Sequence, residues 1–280
     1  MTDAFDPVFT LRVARWIRRA SALWFDARVD GMEHLPDGPF LGVGTHNGGV
    51  LMPDMWIWLA RYHEARRATP IRALAHDMLA RGPAPIARFV ARLGAIRADP
   101  GEAERALAAG CAVQVYPGGD FDAEKPWSRR NQVCFAGRLG WARLAIRSQV
   151  PVVPVVSVGA HETMIVLWDG APLARLLGLD RSRRLQVFPL LLALPWGVFL
   201  GVPPFYLPLP AHIEIRVLPP IAPPADPALA DDPRAVKELD ARVRAAMQAA
   251  IDGMARDRLP ILGRRAIVER LRRRHVEVHR

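Results

Sequence analysis

The spacing of apolar residues around position 50 predicts a buried strand followed by a helix. Residues 40–45 form a short apolar run after a turn-forming stretch, which predicts a strand that ends at His46. Pro53 suits the first turn of a helix and Asp54 suits the positive end of its dipole, so a helix is predicted over about residues 53–67. His46 and Asp54 therefore flank one strand-to-helix turn.

The same alternation continues through the middle of the chain and predicts an α/β fold. Strands are predicted at residues 71–75, 112–116, 150–158 and 213–218, and helices at residues 85–92, 102–109, 139–148 and 237–254. The β-α-β order favours a mainly parallel or mixed central sheet flanked by helices. At 280 residues the chain is long enough for one large core of this kind.

The N-terminal segment predicts an amphipathic helix with basic residues. Apolar side chains recur at near-helical intervals over residues 7–28, and arginines are interleaved with them. Tryptophan beside arginine suits the boundary between water and lipid, although a surface helix packed on the domain gives the same pattern. The predicted organisation is an N-terminal membrane-surface helix (residues 1–30), an α/β domain (residues 31–222), and a linker, C-terminal helix and basic tail (residues 223–280).

A long uncharged stretch follows in the second half of the chain. Residues 185–211 contain no charged residue across 27 positions, which is long enough to cross a bilayer as a regular helix. Prolines interrupt the stretch, and proline removes backbone donors that a spanning helix needs. We therefore predict part core and part shallow membrane-contact loop, the alternative being a fully buried connection between late strands. The predicted interfacial anchors are Trp196, Phe199, Phe205 and Tyr206.

Arginine dominates the charge of the chain. Lys and Arg total 38 against 28 Asp and Glu, which gives a net charge of +10 and favours an anionic partner. An anionic membrane surface is predicted rather than nucleic acid, because the arginines are scattered and no nucleic-acid motif accompanies them. No signal-peptide pattern opens the sequence, so we expect a cytoplasmic protein that is peripheral or monotopic on the inner face of the membrane. Neither the cysteines nor His161 show metal-ligand spacing, so no metal is predicted.

The turn between His46 and Asp54 carries the candidate chemistry. It lies at the carboxyl end of a predicted parallel strand, where open α/β sheets bind their ligands. An alcohol does not ionise at neutral pH, so acyl transfer to it needs a base, and a neutral histidine can serve. A carboxylate on the far ring nitrogen would fix the tautomer and stabilise the imidazolium. The same spacing also fits a helix-capping Asp beside an unrelated His.

Four short blocks follow one another along the chain. They are the turn from His46 to Asp54, then Gly94-Ala95-Ile96-Arg97, then Tyr116-Pro117-Gly118-Gly119-Asp120, then Val150-Pro151-Val152-Val153-Pro154-Val155. Together they resemble the ordered blocks of the lysophospholipid acyltransferase (glycerolipid acyltransferase) superfamily, over about residues 31–220. The branch related to transmembrane protein 68 and the diacylglycerol acyltransferases is similar in three later segments, namely residues 194–197, 208–211 and 260–263.

The resemblance implies an enzyme in which His46 and Asp54 form the catalytic dyad and Arg97 contacts a phosphate of the acceptor or carrier. It also implies an acyl-CoA or acyl-carrier-protein thioester as donor, a glycerolipid or lysophospholipid hydroxyl as acceptor, and no cofactor beyond these substrates. Two departures from the family pattern stand in this sequence. Seven residues rather than four separate His46 from Asp54, and Gly118 and Phe121 occupy the positions of a glutamate and an arginine.

The third block offers further candidates for substrate binding. Gly118 and Gly119 tolerate close approach, so their amides could face an acyl carbonyl or a phosphate, although a plain tight turn explains them too. Arg138 could replace the missing arginine, as could Arg129 or Arg130. A long polar loop also carries arginines simply for solubility.

The predicted function is membrane-associated O-acyl transfer to a lipid. Two other functions fit the same residues: a noncatalytic lipid-binding protein, and a lipid ester hydrolase in which the dyad activates water. The sequence lacks a GxSxG motif, which disfavours the serine type of hydrolase. The sequence does not indicate an oligomeric state.

Overall fold

The computed structural model describes residues 4–65, 69–75, 83–178, 187–203, 205–256 and 258–262. These residues form ten strands and eight α-helices. The strands are β1 (Arg28–Asp30), β2 (Leu41–Gly44), β3 (Ile71–Ala75), β4 (Ala95–Arg97), β5 (Ala112–Val115), β6 (Val152–Val158), β7 (Ile165–Trp168), β8 (Leu190–Ala193), β9 (Gly197–Leu200) and β10 (Glu214–Val217). The helices are α1 (Pro7–Trp24), α2 (Pro53–Ala65), α3 (Ala84–Arg92), α4 (Pro100–Ala108), α5 (Gly119–Ala123), α6 (Gly140–Ser148), α7 (Ala171–Leu176) and α8 (Pro233–Ala255).

Seven strands form the central sheet in the order β1-β10-β6-β2-β5-β3-β4. Strand β10 is antiparallel to β6, and every other neighbouring pair is parallel. The predicted fold class, a mainly parallel or mixed sheet flanked by helices, is confirmed. Because β2 lies between β5 and β6, its carboxyl end opens at the middle of the sheet edge that binds ligands in folds of this kind.

Two hydrophobic cores cover the two faces of the central sheet. One includes Leu41 and Val43 of β2 and packs against α4, α6 and α8. The other packs against α2, whose buried Trp58 donates a 2.9 Å hydrogen bond from Nε1 to Gln114 Oε1. A Cβ at Gly42 would lie 2.3 Å from that same Gln114 oxygen, so glycine in β2 makes room for the contact.

Two short strands of the central sheet lie where the apolar pattern predicts none. Strand β4 follows α3 and pairs with β3, and β1 follows α1 and pairs with β10. Three residues are too few to show an alternating pattern. Strand β1 lies within residues 1–30, so the predicted N-terminal segment contributes a strand to the sheet. Its helix is α1, which ends at Trp24, packs against α2 and buries Thr10, Ala14 and Ser21.

The C-terminal region begins with a short 3-10 helix and continues as α8. The Asp232 side chain caps α8 by accepting a 2.9 Å hydrogen bond from the N–H of Arg234. The helix then packs against β6 and α6. The basic tail predicted at the end of residues 223–280 lies outside the described residues.

A second sheet, formed by β7, β8 and β9, is antiparallel and three-stranded. The prediction of a loop within residues 185–211 is wrong for residues 190–200, because β8 and β9 form a hairpin there. Tyr206, predicted as an interfacial anchor, is buried in a small core with Met164, and Phe199 packs on that core. Trp196 and Phe205 are exposed, and their contact with a membrane stays a prediction. None of the helices in the described ranges combines the length and apolar character needed to span a bilayer.

Candidate active site

His46 lies just beyond the carboxyl end of β2. Its ring centroid is 5.3 Å from that of Tyr116. The residue is partly exposed, but Nδ1 is buried and has no hydrogen-bond partner among the described residues. Burial, and then the nearby Lys125 ammonium, lowers the pKa of His46 to about 4. The imidazole is therefore neutral at pH 7 and able to accept a proton.

Asp54 lies in the first turn of α2 and is buried. Its Oδ2 accepts hydrogen bonds from Ser157 Oγ at 2.6 Å and from Asn47 Nδ2 at 3.1 Å. Its Oδ1 accepts a 2.9 Å hydrogen bond from the Met55 N–H. Burial raises the pKa of Asp54 to about 6, and these hydrogen bonds oppose the rise. The carboxyl group is therefore mostly ionised at pH 7 and becomes neutral below about pH 6.

The predicted hydrogen bond between His46 and Asp54 is not formed in this structure, because Nδ1 has no partner in the described residues and the Asp54 oxygens accept from other groups. The two side chains nevertheless lie near the same residue, Tyr116. Burial, and then the Asp54 carboxylate, raises the pKa of Tyr116, whose ring contacts His46. The chain between His46 and Asp54 includes a 3-10 turn at Gly49–Leu51. The fold thus brings both groups to one corner of the sheet without joining them.

A buried ion pair fixes the backbone that carries the imidazole. Lys125 Nζ lies 2.7 Å from Asp122 Oδ1, and the two side chains are 1% and 0% exposed. Asp122 Oδ2 accepts a 2.6 Å hydrogen bond from the His46 N–H, and Lys125 donates a 2.9 Å hydrogen bond to Asn47 Oδ1. Asn47 in turn donates to Asp54. One continuous network therefore connects the His46 backbone to the Asp54 carboxylate.

The 3-10 helix after β6 supports this network from a second element. His161 Nε2 lies 2.6 Å from the Lys125 carbonyl oxygen, and burial lowers the pKa of His161 to about 3, so the ring is neutral. The neighbouring Glu162 is buried, pairs with Arg258 at 2.7 Å and accepts a 2.5 Å hydrogen bond from the Ile261 N–H. The residues after α8 are thereby tied to the 3-10 helix that follows β6.

Glu124 and Tyr206 pack on the loop after His46. Gly48 and Gly49 adopt φ values of 78° and 57°, which favour glycine. A Cβ at Gly49 would lie 3.2 Å from Glu124 Oε1, and the Tyr206 hydroxyl donates a hydrogen bond to the Gly48 carbonyl. Glu124 is buried, and within the described ranges its Oε2 has no hydrogen-bond partner. Burial, and then the nearby Asp120, raises the pKa of Glu124 to about 7.

Gly118, Gly119 and Arg138 meet at the turn after β5, where the Gly119 N–H, the Gly118 carbonyl and the Arg138 guanidinium are engaged within the protein. The Gly119 N–H donates a 3.2 Å hydrogen bond to the Tyr116 carbonyl. Arg138 donates 3.0 Å hydrogen bonds to the Gly118 carbonyl and to Asp120 Oδ1. A Cβ at Gly119 would lie 2.3 Å from Arg138 Nη1, so the close approach that glycine permits is to this arginine. Contact with substrate stays a prediction for all three residues.

Arg97 ends the edge strand β4 and is partly buried. Strands β5 and β3 separate β4 from β2, and these strands are parallel. Three strand spacings correspond to about 14 Å. Arg97 and His46 therefore share one edge of the sheet but lie far enough apart to contact different parts of a long substrate. A phosphate contact at Arg97 stays a prediction.

Sequence reasoning missed the polar residues that connect the His46 backbone to the Asp54 carboxylate or pack on the loop between them. Two signals could have found part of this set. Lys125 is one of two lysines in the chain and stands three positions after an acidic residue, a spacing that suits an ion pair near a helix end. Ser157 is the one hydroxyl in the apolar strand β6. The missed residues are Asn47, Asp122, Glu124, Lys125 and Ser157.

In the part of the chain that the structure describes, no group of three or more His, Cys, Asp or Glu side chains is arranged to hold a metal ion. The polar residues near His46 are engaged in hydrogen bonds and ion pairs with one another. The chemistry that this arrangement can perform is proton transfer at a neutral imidazole beside a buried carboxylate.

The site lies in a part of the chain that is similar to a known protein family. The sequence model of a family described as Acyltransferase matches residues 26–158. This range contains strands β1 to β6 and the parallel block of the central sheet. It also contains all the site residues predicted from the sequence, namely His46, Asp54, Arg97, Gly118, Gly119 and Arg138.

Similar sequences occur in mycobacteria. An uncharacterised protein of Mycobacterium tuberculosis strain H37Rv is 33% identical over 248 residues, which cover 87% of this chain and 66% of that protein. An uncharacterised protein of Mycobacterium leprae strain TN is 32% identical over 247 residues, which cover 87% of this chain and 64% of that protein. The chain thus spans just under two thirds of the length of these curated relatives.

A solved structure shares the fold. The crystal structure of the 1-acyl-sn-glycerophosphate (LPA) acyltransferase PlsC from Thermotoga maritima aligns with a TM-score of 0.53 and 16% sequence identity. The alignment covers 88% of this chain and 80% of that one. At this identity the likeness establishes the common architecture of sheet and flanking helices.

Proposed function

We propose that the chain, whose residues 26–158 match the family described as Acyltransferase, is a glycerolipid acyltransferase that moves a fatty acyl group from a thioester to the hydroxyl of a glycerolipid or lysophospholipid. One observation carries the proposal. The neutral imidazole of His46 lies at the carboxyl end of the central strand, in the same corner as the buried carboxylate of Asp54. Both residues lie inside the range that matches the family.

In the proposed reaction His46 is the general base. Its neutral ring takes the proton of the acceptor hydroxyl as the hydroxyl oxygen attacks the thioester carbonyl. A carbon–oxygen bond forms, the carbon–sulfur bond breaks, and the imidazolium returns the proton to the departing thiolate. The acyl group passes directly from donor to acceptor without a covalent enzyme intermediate.

Asp54 is proposed to stabilise the imidazolium. A cation at this position is disfavoured in the resting protein, since the pKa of His46 is lowered to about 4. An ionised carboxylate in the same corner lessens that cost, most strongly if protonated Nδ1 donates a hydrogen bond to it during the reaction. The network through Asn47 and Lys125 holds both groups in place for this step.

The proposed donor is an acyl-CoA or acyl-carrier-protein thioester, and the reaction as written needs no other cofactor. Arg97 and Arg138 are the proposed contacts for phosphate groups. The amides of Gly118 and Gly119 are proposed to face a carbonyl or phosphate oxygen, the Gly119 N–H exchanging its 3.2 Å hydrogen bond to the Tyr116 carbonyl for it. The similar fold of the Thermotoga maritima 1-acyl-sn-glycerophosphate acyltransferase supports a lysophospholipid acceptor. The similarity of residues 194–197 to the diacylglycerol acyltransferase branch supports a neutral glyceride instead.

We propose that the protein lies on the inner face of the membrane as a peripheral or monotopic protein. Helix α1 supports this location, because Trp16 and Leu23 are 71% and 90% exposed and arginines are exposed beside them. Indole rings and guanidinium groups suit the headgroup region, where they meet ester groups and lipid phosphates.

Purified protein tests the proposal directly. Labelled palmitoyl-CoA is incubated with lysophosphatidic acid, monoacylglycerol or diacylglycerol, and a labelled ester is the expected product. His46→Ala should lower its rate by about 10²–10⁴-fold. The matched control is His34→Ala, which removes an imidazole whose Nδ1 lies 3.0 Å from the Val217 carbonyl. Ester formation by His46→Ala at the wild-type rate would exclude His46 as the base.

The same assay separates the other functions. Release of free fatty acid in the absence of acceptor would identify a hydrolase. Lipid binding without either product, across the whole acceptor panel, would identify a noncatalytic lipid-binding protein.

A further inference from the structure

The outer face of the sheet β7-β8-β9 is apolar throughout. An antiparallel sheet with one solvated side ordinarily alternates apolar residues inward with polar residues outward. Here the outward positions are apolar as well, and Leu192, Val198 and Leu200 are 41%, 65% and 50% exposed. Two cross-strand rows make up this apolar sheet face, namely Ile165–Leu192–Val198 and Trp168–Leu190–Leu200.

Exposed apolar side chains continue beyond the strands. Leu194, Phe205 and Leu207 are 48%, 60% and 52% exposed. The Trp196 ring lies 5.0 Å from the Phe205 ring and is itself exposed. No charged residue occurs in the sequence over residues 187–211. A continuous apolar surface of this kind marks an interaction site rather than an ordinary solvated surface.

The inner face of the same sheet reaches the catalytic corner. Leu191 and Phe199 pack with Tyr206 in the small third core. The Tyr206 hydroxyl donates a hydrogen bond to the carbonyl of Gly48, two residues after His46. A partner on the apolar sheet face would therefore be separated from the catalytic loop by little more than the thickness of this sheet and its core.

Basic charge adjoins this region through α1. Trp24 Nε1 donates a 2.9 Å hydrogen bond to the Pro208 carbonyl, which ties the end of α1 to the segment after β9. Positions 12, 16, 19 and 23 fall on one face of the helix, because they are spaced at helical intervals. Their side chains alternate between cationic and apolar, and all are exposed: Arg12, Trp16, Arg19 and Leu23.

We propose that the apolar sheet face docks on a lipid bilayer, with the α1 arginines meeting the lipid phosphates. The inference rests on the proposed function in one respect, since the bilayer would hold the acceptor lipid. A bilayer is favoured over a second copy of this chain because protein interfaces carry a polar rim, whereas residues 187–211 offer no charge for one. Aromatic rings with arginines on an adjoining helix are the composition of a membrane-surface element.

Vesicle binding by the full chain tests the docking surface. The probe is a vesicle of 70% phosphatidylcholine and 30% phosphatidylglycerol in 0.1 M salt, and bound protein is measured by sedimentation. The double variant Leu192→Glu/Val198→Glu should lower the partition coefficient at least tenfold, because carboxylates would have to leave water. The matched control, Ala245→Glu/Ala249→Glu, adds the same charge on the exposed side of α8 and should stay within twofold of wild type.

A milder variant keeps the test valid if the glutamates disturb folding. Leu192→Thr/Val198→Thr places β-branched residues at both strand positions and adds no charge, and should lower the partition coefficient at least threefold with an unchanged circular dichroism spectrum. Acyl transfer between a short-chain thioester and a short-chain soluble acceptor should be unchanged in these variants. The binding result does not depend on that turnover, so the two proposals fail separately.

Three results would overturn the docking proposal. The first is wild-type protein that does not sediment with the vesicles. The second is a glutamate double variant that folds and binds as well as wild type. The third is a wild-type dimer that the glutamate variant converts to a monomer with vesicle binding unchanged, which would assign the apolar sheet face to a second copy of this chain.

Discussion

The N–H of His46 donates a 2.6 Å hydrogen bond to Oδ2 of Asp122, a residue 76 positions later in the chain. The loop that carries the candidate base is thus held by a carboxylate from a different part of the sheet edge. Asp122 is in turn paired with Lys125, and neither side chain is exposed to more than 1%. The position of the imidazole therefore depends on a buried ion pair.

Removing one member of this pair should destabilise the protein strongly. Lys125→Met leaves the Asp122 carboxylate buried without its cation, and we expect the free energy of unfolding to fall by about 3–5 kcal/mol. Asp122→Asn/Lys125→Met removes both charges and should recover part of the loss. Urea denaturation measures both variants. A single variant as stable as wild type would show that the ion pair does not stabilise the fold.

The acid limb of the pH–rate profile should follow Asp54 rather than His46. The proposed reaction needs the Asp54 carboxylate, whose pKa is raised to about 6, and a neutral His46, whose pKa is lowered to about 4. As pH falls, Asp54 takes its proton first, so kcat/KM should decline below about pH 6. Measurement between pH 4.5 and 8 checks this, and a limb near pH 4 would show that Asp54 titration does not control the rate.

Ser157 provides a second test of the same assignment. Its hydroxyl donates a 2.6 Å hydrogen bond to Asp54 and helps to hold the pKa of that carboxyl down. Ser157→Ala removes the donor, so the acid limb should move upward by about 1 pH unit. Ser128→Ala, a substitution at an exposed serine, serves as control and should leave the limb in place.

Glu124 should make the stability of the protein depend on pH. Burial raises its folded pKa from 4.5 to about 7, so the stability associated with the neutral form is complete below pH 4.5 and is lost as pH rises through 7. Glu124→Gln cannot ionise. Its free energy of unfolding, relative to wild type, should therefore rise by about 3 kcal/mol between pH 4.5 and pH 8. A difference that stays constant over this range would contradict the buried titration.

Space at Gly44 should be needed for the orientation of the catalytic ring. A Cβ there would lie 2.5 Å from Tyr116 Cε1, and the Tyr116 ring contacts His46. Gly44→Ala should therefore displace both rings, lower kcat/KM at least tenfold, and cost about 1–3 kcal/mol of unfolding free energy. Gly253→Ala is the control, since a Cβ there meets nothing within 4 Å. Equal kcat/KM values for the two variants would count against a positional role for Tyr116.

The sequence predicted the longer strands of the central sheet. Strand β6 was the most recognisable, because its seven residues are buried throughout and nearly all are apolar. Strands β1 and β4 were not recognisable, because three residues are too few to show an alternating pattern. The β8–β9 hairpin was interpreted as a loop, because apolar residues on both of its faces and frequent prolines hide the alternation that identifies a strand.

The sequence by itself determined the α/β order of the central elements and the placement of His46 and Asp54 at one strand-to-helix turn. It did so because burial of a parallel sheet and the first turn of a helix leave local patterns. Only the tertiary structure decided that Asp54 bonds Ser157 and Asn47, and that Asp122 and Lys125 hold the His46 loop. Apart from the Asp122–Lys125 pair, these partners come from strands and turns up to 110 positions apart, and no local spacing encodes which of these buried polar groups will meet.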